Sequence, residues 1–170
     1  AVIQAQDSGL VAPGAKVERV ASGFGFLEGP AADADGNLYF SDVAYERIHR
    51  WSPETGITVF RERTGRANGL RVDFDGTLLV CEMGNRQVTA IDLDGRLTVL
   101  ADHYEEQRFN SPNDLWVDPK GGIYFSDPRY GATDDQEIKG HHVYYLSADH
   151  ETLLRVTDDL VQPNGIVGTP

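Results

Sequence analysis

The 170-residue sequence predicts an all-β chain, a partial β-propeller of four-stranded blades, and three observations carry that prediction. One unit recurs at Asp33, Asp73 and Asp118, a period of about 40 to 45 residues of the kind that marks stacked repeats. Each recurrence opens on a Gly-bearing turn, as in Asp33-Ala34-Asp35-Gly36, Asp73-Phe74-Asp75-Gly76 and Asp118-Pro119-Lys120-Gly121. An apolar run then ends on a carboxylate at Asp42, Glu82 and Asp127. Five positions before each opening aspartate stands a side chain with an oxygen to offer, namely Glu28, Asn68 and Asn113.

Taken in order, residues 1–15 read as a polar, Gly- and Pro-bearing flexible segment. Lys16-Val17-Glu18-Arg19-Val20 alternates as a strand that would serve as the outer strand of a last blade in a closed ring. The blades follow at approximately 28–62, 68–109 and 113–160. Their inner strands include Leu70-Arg71-Val72 and Leu115-Trp116-Val117, and the turn reverses the chain into Leu78-Leu79-Val80 and Ile123-Tyr124-Phe125. Third strands are read at Arg47-Ile48-His49-Arg50-Trp51, Arg86 to Ile91 and His142 to Leu146. Outer strands are read at Ile57 to Phe60, Leu97 to Leu100 and Thr152 to Val156. Asn164-Gly165-Ile166-Val167 starts what reads as a fourth innermost strand. Three blades are fewer than the roughly 4 to 8 that close a propeller. The expectation is therefore half of a larger ring, completed by a missing C-terminal half or by a second copy, with apolar faces left open at both ends.

Composition sets limits. Hydrophobic residues make up 40% and Gly and Pro number 18 and 8, which supports a real core with abundant turns and argues against disorder. A formal net charge of -12 argues against a nucleic-acid or anionic-membrane partner, because phosphate binding needs a basic face. No transmembrane span is read. The single cysteine, Cys81, excludes an internal disulfide framework and, in an apolar strand with no base nearby, reads as buried filler. Ala1 to Ala5 read either as the stub of a cleaved leader or as a disordered terminus. Localisation leans slightly to a periplasmic or secreted site over a cytoplasmic one.

Because equivalent positions in successive blades share one radius and one height, Glu28, Asn68, Asn113 and Asn164 are expected to face the central axis together. One carboxylate with several carboxamides suits a hard divalent cation with oxygen ligands, calcium by default, with Mg2+, Mn2+ or Zn2+ as alternatives. A turn dipeptide accounts for Asn68-Gly69 or Asn164-Gly165 taken alone, but not for Glu28-Gly29-Pro30 or Ser111-Pro112-Asn113-Asp114 at the same register.

Phe26-Leu27-Glu28-Gly29-Pro30, Asn110 to Leu115, Tyr124-Phe125-Ser126-Asp127-Pro128-Arg129-Tyr130-Gly131 and Pro163-Asn164-Gly165-Ile166 resemble the signature segments of the gluconolactonase family that includes senescence marker protein 30 (regucalcin). The likeness runs from Glu28 onward. It implies a six-bladed propeller that hydrolyses sugar or aldonic lactones with a divalent metal in the central tunnel. It also implies Glu28, Asn113 and Asn164 as metal ligands, with a further aspartate, the general base, on a later blade beyond residue 170. A related phosphotriester hydrolysis and a non-catalytic scaffold holding a structural ion stand as alternatives. Arg108, Asn110 and Asn68 are the expected substrate contacts, the first two through sugar hydroxyls. Asp127, closing a middle strand by the tunnel, is the catalytic candidate within the chain, expected to orient water or substrate. Met83 stands where the family often has histidine.

Other constellations are discounted. Asp33-Ala34-Asp35-Gly36-Asn37 lacks the closing Glu of an EF-hand loop and reads as a hairpin turn. His141 and His142, adjacent on a strand, point to opposite faces, and His49 reads as a strand-surface or hydrogen-bonded histidine.

Overall fold

In the computed structural model, which describes residues 12–169, the chain is three antiparallel four-stranded meanders set side by side. The first blade is β1 (Leu27–Ala32), β2 (Leu38–Asp42), β3 (Arg47–Ser52) and β4 (Gly56–Glu62). The second is β5 (Ala67–Val72), β6 (Leu78–Glu82), β7 (Gln87–Ile91) and β8 (Leu97–Ala101). A short hairpin, β9 (His103–Tyr104) with β10 (Gln107–Arg108), precedes the third blade of β11 (Leu115–Val117), β12 (Ile123–Asp127), β13 (His142–Leu146) and β14 (Leu153–Thr157). Within each sheet the spatial order follows the chain. These are blades of a β-propeller, as the repeat predicts.

The first and third of the repeated turns work through their first aspartate, whereas in the second Asp75 accepts the Thr77 N–H at 2.9 Å. The Asp33 carboxylate accepts the N–H groups of Asp35 and Asn37 at 3.0 and 2.8 Å, and Asp118 accepts those of Lys120 and Gly122 at 2.7 and 3.0 Å. The following glycines, Gly36 and Gly121, take φ values of 81° and 88°, a left-handed conformation that costs glycine no steric clash. A calcium loop is not needed to explain the pattern.

Strand alternation builds two cores. On β6, Leu78 and Val80 face the first blade and join Ala31, Ile48, Ala67, Leu70 and Ile91. Leu79 and Cys81, pointing the other way, join Leu115, Phe125, Tyr144 and their neighbours against the third blade. Every residue of β6 is therefore buried. Cys81 is packed as filler, and burial pushes its thiol pKa well up. The outward faces of the end blades stay open. A groove of about 680 Å3 on the first is lined by Phe24, Leu27, Leu38, Trp51 and Ile57, and one of about 530 Å3 on the third by Tyr124, Tyr145, Leu154 and Val156.

Two sequence expectations are corrected. Residues 16–20 form no strand: Val17 and Val20 lie exposed, because alternation makes a strand only where a neighbouring edge supplies hydrogen bonds, and no described edge pairs with this segment. Residues 164–169 likewise run without strand pairing, although they lie beside β11, where the Ile166 N–H donates to the Asp114 carboxylate at 3.0 Å. The leader stub and most of the flexible segment, residues 1–11, lie outside the described residues.

Candidate functional site

The four expected axial positions are tied to one another through backbone. The Ser41 hydroxyl lies between the carbonyls of Glu28, at 3.2 Å, and Asn68, joining the first and second inner strands. Gly69 donates its N–H to the Asn113 carbonyl at 2.7 Å, joining the second to the third. The Ser126 hydroxyl reaches the Asn164 carbonyl at 2.5 Å, joining the third to the segment beyond. Glycine permits this approach. A Cβ on Gly29, whose φ is 52°, would lie 2.1 Å from the Asn68 carbonyl oxygen, and one on Gly69 would lie 2.6 Å from the Asp114 Cα.

The side chains at these positions differ in what they already do. Among the described residues, neither the half-buried Glu28 carboxylate nor the buried Asn113 carboxamide hydrogen-bonds to another protein group. The buried Asn68 amide donates to the Met83 sulfur at 2.8 Å, and the exposed Asn164 amide to the Tyr130 hydroxyl at 2.9 Å. In both cases the –NH2 is engaged and the side-chain oxygen remains without a protein donor. These four positions thus offer four side-chain oxygens, one of them anionic, of the type that hard cations take. Among the described residues, no group of three or more His, Cys, Asp or Glu side chains gathers in a way that could hold a metal ion.

Asp127 closes the middle strand β12, as expected, with its carboxylate turned inward. It is fully buried, and its two carboxylate oxygens accept the N–H groups of Asn110 and Ser111 at 2.8 and 2.6 Å. Burial raises its pKa to about 7, against the pull of those N–H groups and of the Arg86 and Arg129 guanidinia. The side chain faces the segment that leads to Asn113 and holds it; it does not reach solvent. Asn110, expected to touch sugar, is buried too. Its amide donates to the Gly140 carbonyl at 2.9 Å and the Asp127 carbonyl at 3.3 Å, while Oδ1 has no hydrogen-bond partner. Arg108 does remain exposed, with one N–H on the Asn85 carbonyl at 2.9 Å and the rest of the guanidinium open.

Two arginines escaped the sequence reading. Arg86 is buried and donates to the carbonyls of Arg108 at 3.2 Å, Phe109 and Asp135 at 3.0 Å. Arg129 donates to the carbonyls of Asn110 at 3.0 Å and Ala132 at 2.8 Å, and pairs with the Asp135 carboxylate. A charged residue inside a strongly patterned repeat was the available signal.

The histidines carry no site. His49 is buried between Phe24 and Phe40, stacked on the latter, and burial lowers its pKa. It is not at the strand surface and its Nδ1 has no partner, but the Thr58 backbone offers the ring a hydrogen bond. His142 is buried with Nε2 on the Lys139 carbonyl at 2.9 Å, whereas His141 turns outward to the Val161 carbonyl, so the pair does point to opposite faces.

Residues 26–170 match the family model described as the SMP-30/Gluconolactonase/LRE-like region. A gluconolactonase of Zymomonas mobilis is 33% identical over 174 residues, which covers 91% of this chain and 49% of that protein. The lactonase drp35 of Staphylococcus saprophyticus is 31% identical over 148 residues, covering 82% and 44%. Among solved structures, a gluconolactonase of Xanthomonas campestris superposes with a TM-score of 0.77 at 35% identity, covering 82% of this chain and 50% of that one. The chain thus spans about half the length of the relatives it matches.

Proposed function

The chain belongs to the SMP-30/gluconolactonase/LRE-like family, and from that premise we propose that it contributes three blades to a divalent-metal-dependent hydrolase of sugar or aldonic lactones. The observation that carries the reading is the pair of unengaged side chains, the Glu28 carboxylate on β1 and the Asn113 carboxamide just before β11, in segments linked through Ser41, Asn68 and Gly69. In a folded interior polar side chains find partners. Two that have no protein partner at equivalent register suit a shared ligand.

Glu28, Asn113 and Asn164 would hold the cation, calcium by the hardness of the oxygens, and bound there it would supply Lewis-acid polarisation of the lactone carbonyl. The chain's own residues do the rest. Asn68, its amide fixed on Met83, presents an oxygen to a substrate hydroxyl. Arg108 offers its free N–H groups at the exposed end of the segment that carries Asn113. Asp127 acts one step back by fixing residues 110–111. The apolar grooves on the two end blades support a second element of the reading, that further blades or a second copy of this chain cover them.

The test is hydrolysis of glucono-δ-lactone, followed by acid release, on the chain and on its Glu28→Gln and Asn113→Ala variants. Activity that disappears with chelator, returns with calcium and falls at least about a hundredfold in either variant is the expected result. Lactone turnover indifferent to both chelator and Glu28→Gln would overturn the metal site. Calcium binding without turnover would leave an ion-holding scaffold in place of a hydrolase. Light scattering reports the covering of the faces, with a mass of twice the chain expected if a second copy closes them.

A further inference from the structure

We propose that Arg86 and Arg129 are positioning residues for Asn113: two guanidinia, from two different blades, hold three successive backbone carbonyls and so set where the Asn113 side chain is presented. This inference deepens the reading of Asn113 as a site residue and rests on it.

Residues 109–113 enter the third blade without strand pairing, so their backbone groups must find partners elsewhere or remain orphaned in the interior. Arg86 Nη2 takes the carbonyl of Arg108 at 3.2 Å, Arg86 Nε takes that of Phe109, and Arg129 Nη1 takes that of Asn110 at 3.0 Å. On the opposite polarity, Asp127 takes the N–H groups of Asn110 and Ser111. The Asn113 N–H then donates to the Ser126 carbonyl at 2.9 Å, which brings the chain into register with β12. The carbonyls of residues 108–110 and the N–H groups of residues 110 and 111 are thus held by charged side chains, the Phe109 N–H by the Asp102 carbonyl at 3.3 Å, and the Asn113 N–H by that strand.

The arginines are themselves fixed from the far side. The connection between β12 and β13 supplies Asp135, whose carboxylate lies between Arg86, at 3.4 Å, and Arg129. It also supplies Glu137, 3.6 Å from Arg86 and accepting the Arg108 N–H at 2.9 Å. Arg86 adopts φ 61°, a region that non-glycine residues seldom occupy. At the same turn of the first blade stands Glu46, φ 52°, with its side chain exposed. The turn geometry is common to both blades; the buried guanidinium is particular to the second. Planarity matters, because the guanidinium fixes the spacing and direction of its donors toward two adjacent carbonyls, whereas the donors of an ammonium sit on one rotatable nitrogen.

The experiment compares Arg86→Lys and Arg129→Lys with the unaltered chain by amide hydrogen exchange, by the Asn113 side-chain amide resonance, and by calcium titration calorimetry. Ile48→Val, a mild core change in the first blade, serves as a control for general loosening. Expected in both lysine variants are exchange at residues 109–113 faster by at least about tenfold, a shifted or broadened Asn113 amide signal, and calcium affinity lower by about tenfold, with exchange in β6 and β12 unchanged. Should Arg86→Lys fail to fold, Arg129→Lys decides. Exchange at 109–113 equal to that of the unaltered chain, or faster exchange spread evenly over all three blades as in the control, overturns the positioning role. If the unaltered chain takes up no calcium, the metal reading falls, while exchange and the Asn113 resonance still decide whether the guanidinia set that residue's place.

Discussion

Asp42 in the first blade and Asp127 in the third end equivalent strands, follow equivalent serines, and clamp equivalent segments. Asp42 accepts the N–H groups of Gly25 and Phe26 at 2.9 and 3.1 Å, just before Glu28, as Asp127 accepts those of Asn110 and Ser111 before Asn113. Their proton affinities diverge all the same. Burial raises both, but at Asp42 the N–H groups of Gly25, Phe26 and Tyr45, with His49 nearby, outweigh it and leave the pKa below the ordinary value. At Asp127 burial prevails and the pKa rises to about 7. The cover explains the contrast. Asp42 is roofed by a thin segment whose Phe26 and Tyr45 are exposed, whereas Asp127 lies beneath residues 108–111 and the long β12–β13 connection. Both carboxylates are closed off from solvent, so one motif can act as a latch under thin cover in one blade and as a deep anchor in another.

The largest test of that contrast is truncation. Asp127→Ala should cost about 3 to 5 kcal/mol of unfolding free energy, because it leaves the N–H groups of Asn110 and Ser111 buried without an acceptor. Asp42→Ala should cost about 1 to 3 kcal/mol. Urea denaturation of the two variants at neutral pH measures both, and equal losses would erase the distinction.

Next in size is the opposite pH dependence. The folded state binds a proton on Asp127 more tightly than the unfolded chain does, so this group's contribution to stability declines as pH rises from about 4 to about 7. Asp42, its pKa lowered, contributes stability above the ordinary carboxylate range and loses it as pH falls below that range. Against the unaltered chain, Asp127→Asn should flatten the first slope and Asp42→Asn the second, as read by denaturation midpoints at pH 3, 5 and 8. Slopes of the same sign would contradict the assignment.

The smallest effect reverses the ranking. In the first-blade turn Asp33 accepts two N–H groups and the side chain of the buried Asn37 at 2.8 Å, while Asp118 accepts two N–H groups alone. Asp33→Ala should therefore exceed Asp118→Ala by about 1 kcal/mol, checked by thermal melts of the pair.

Local pattern carried far in this sequence. Runs such as Leu78-Leu79-Val80 and Ile123-Tyr124-Phe125 became strands where alternation placed them, because the Asp-Gly turns fix their register within a few residues. Alternation misled at residues 16–20, where the missing quantity was a partner edge. The β9–β10 hairpin, two residues on each side and polar, offered no period to detect. Within the site, the backbone links among the positions of Glu28, Asn68, Asn113 and Asn164 follow from the repeat, which places equivalent positions side by side. The burial of Asn110 and Asp127 was not, because it depends on Arg86 and Arg129 reaching carbonyls brought near only by the stacking of blades.

Cys81 sits at the equivalent of Ser41 and Ser126, in a strand whose two faces are both covered by other blades. Being the sole thiol of the chain, it is an intrinsic clock for separation of the central sheet from its neighbours. Pulsed alkylation would count each such opening without any label having been introduced, and would time the event that must precede dissolution of the whole stack.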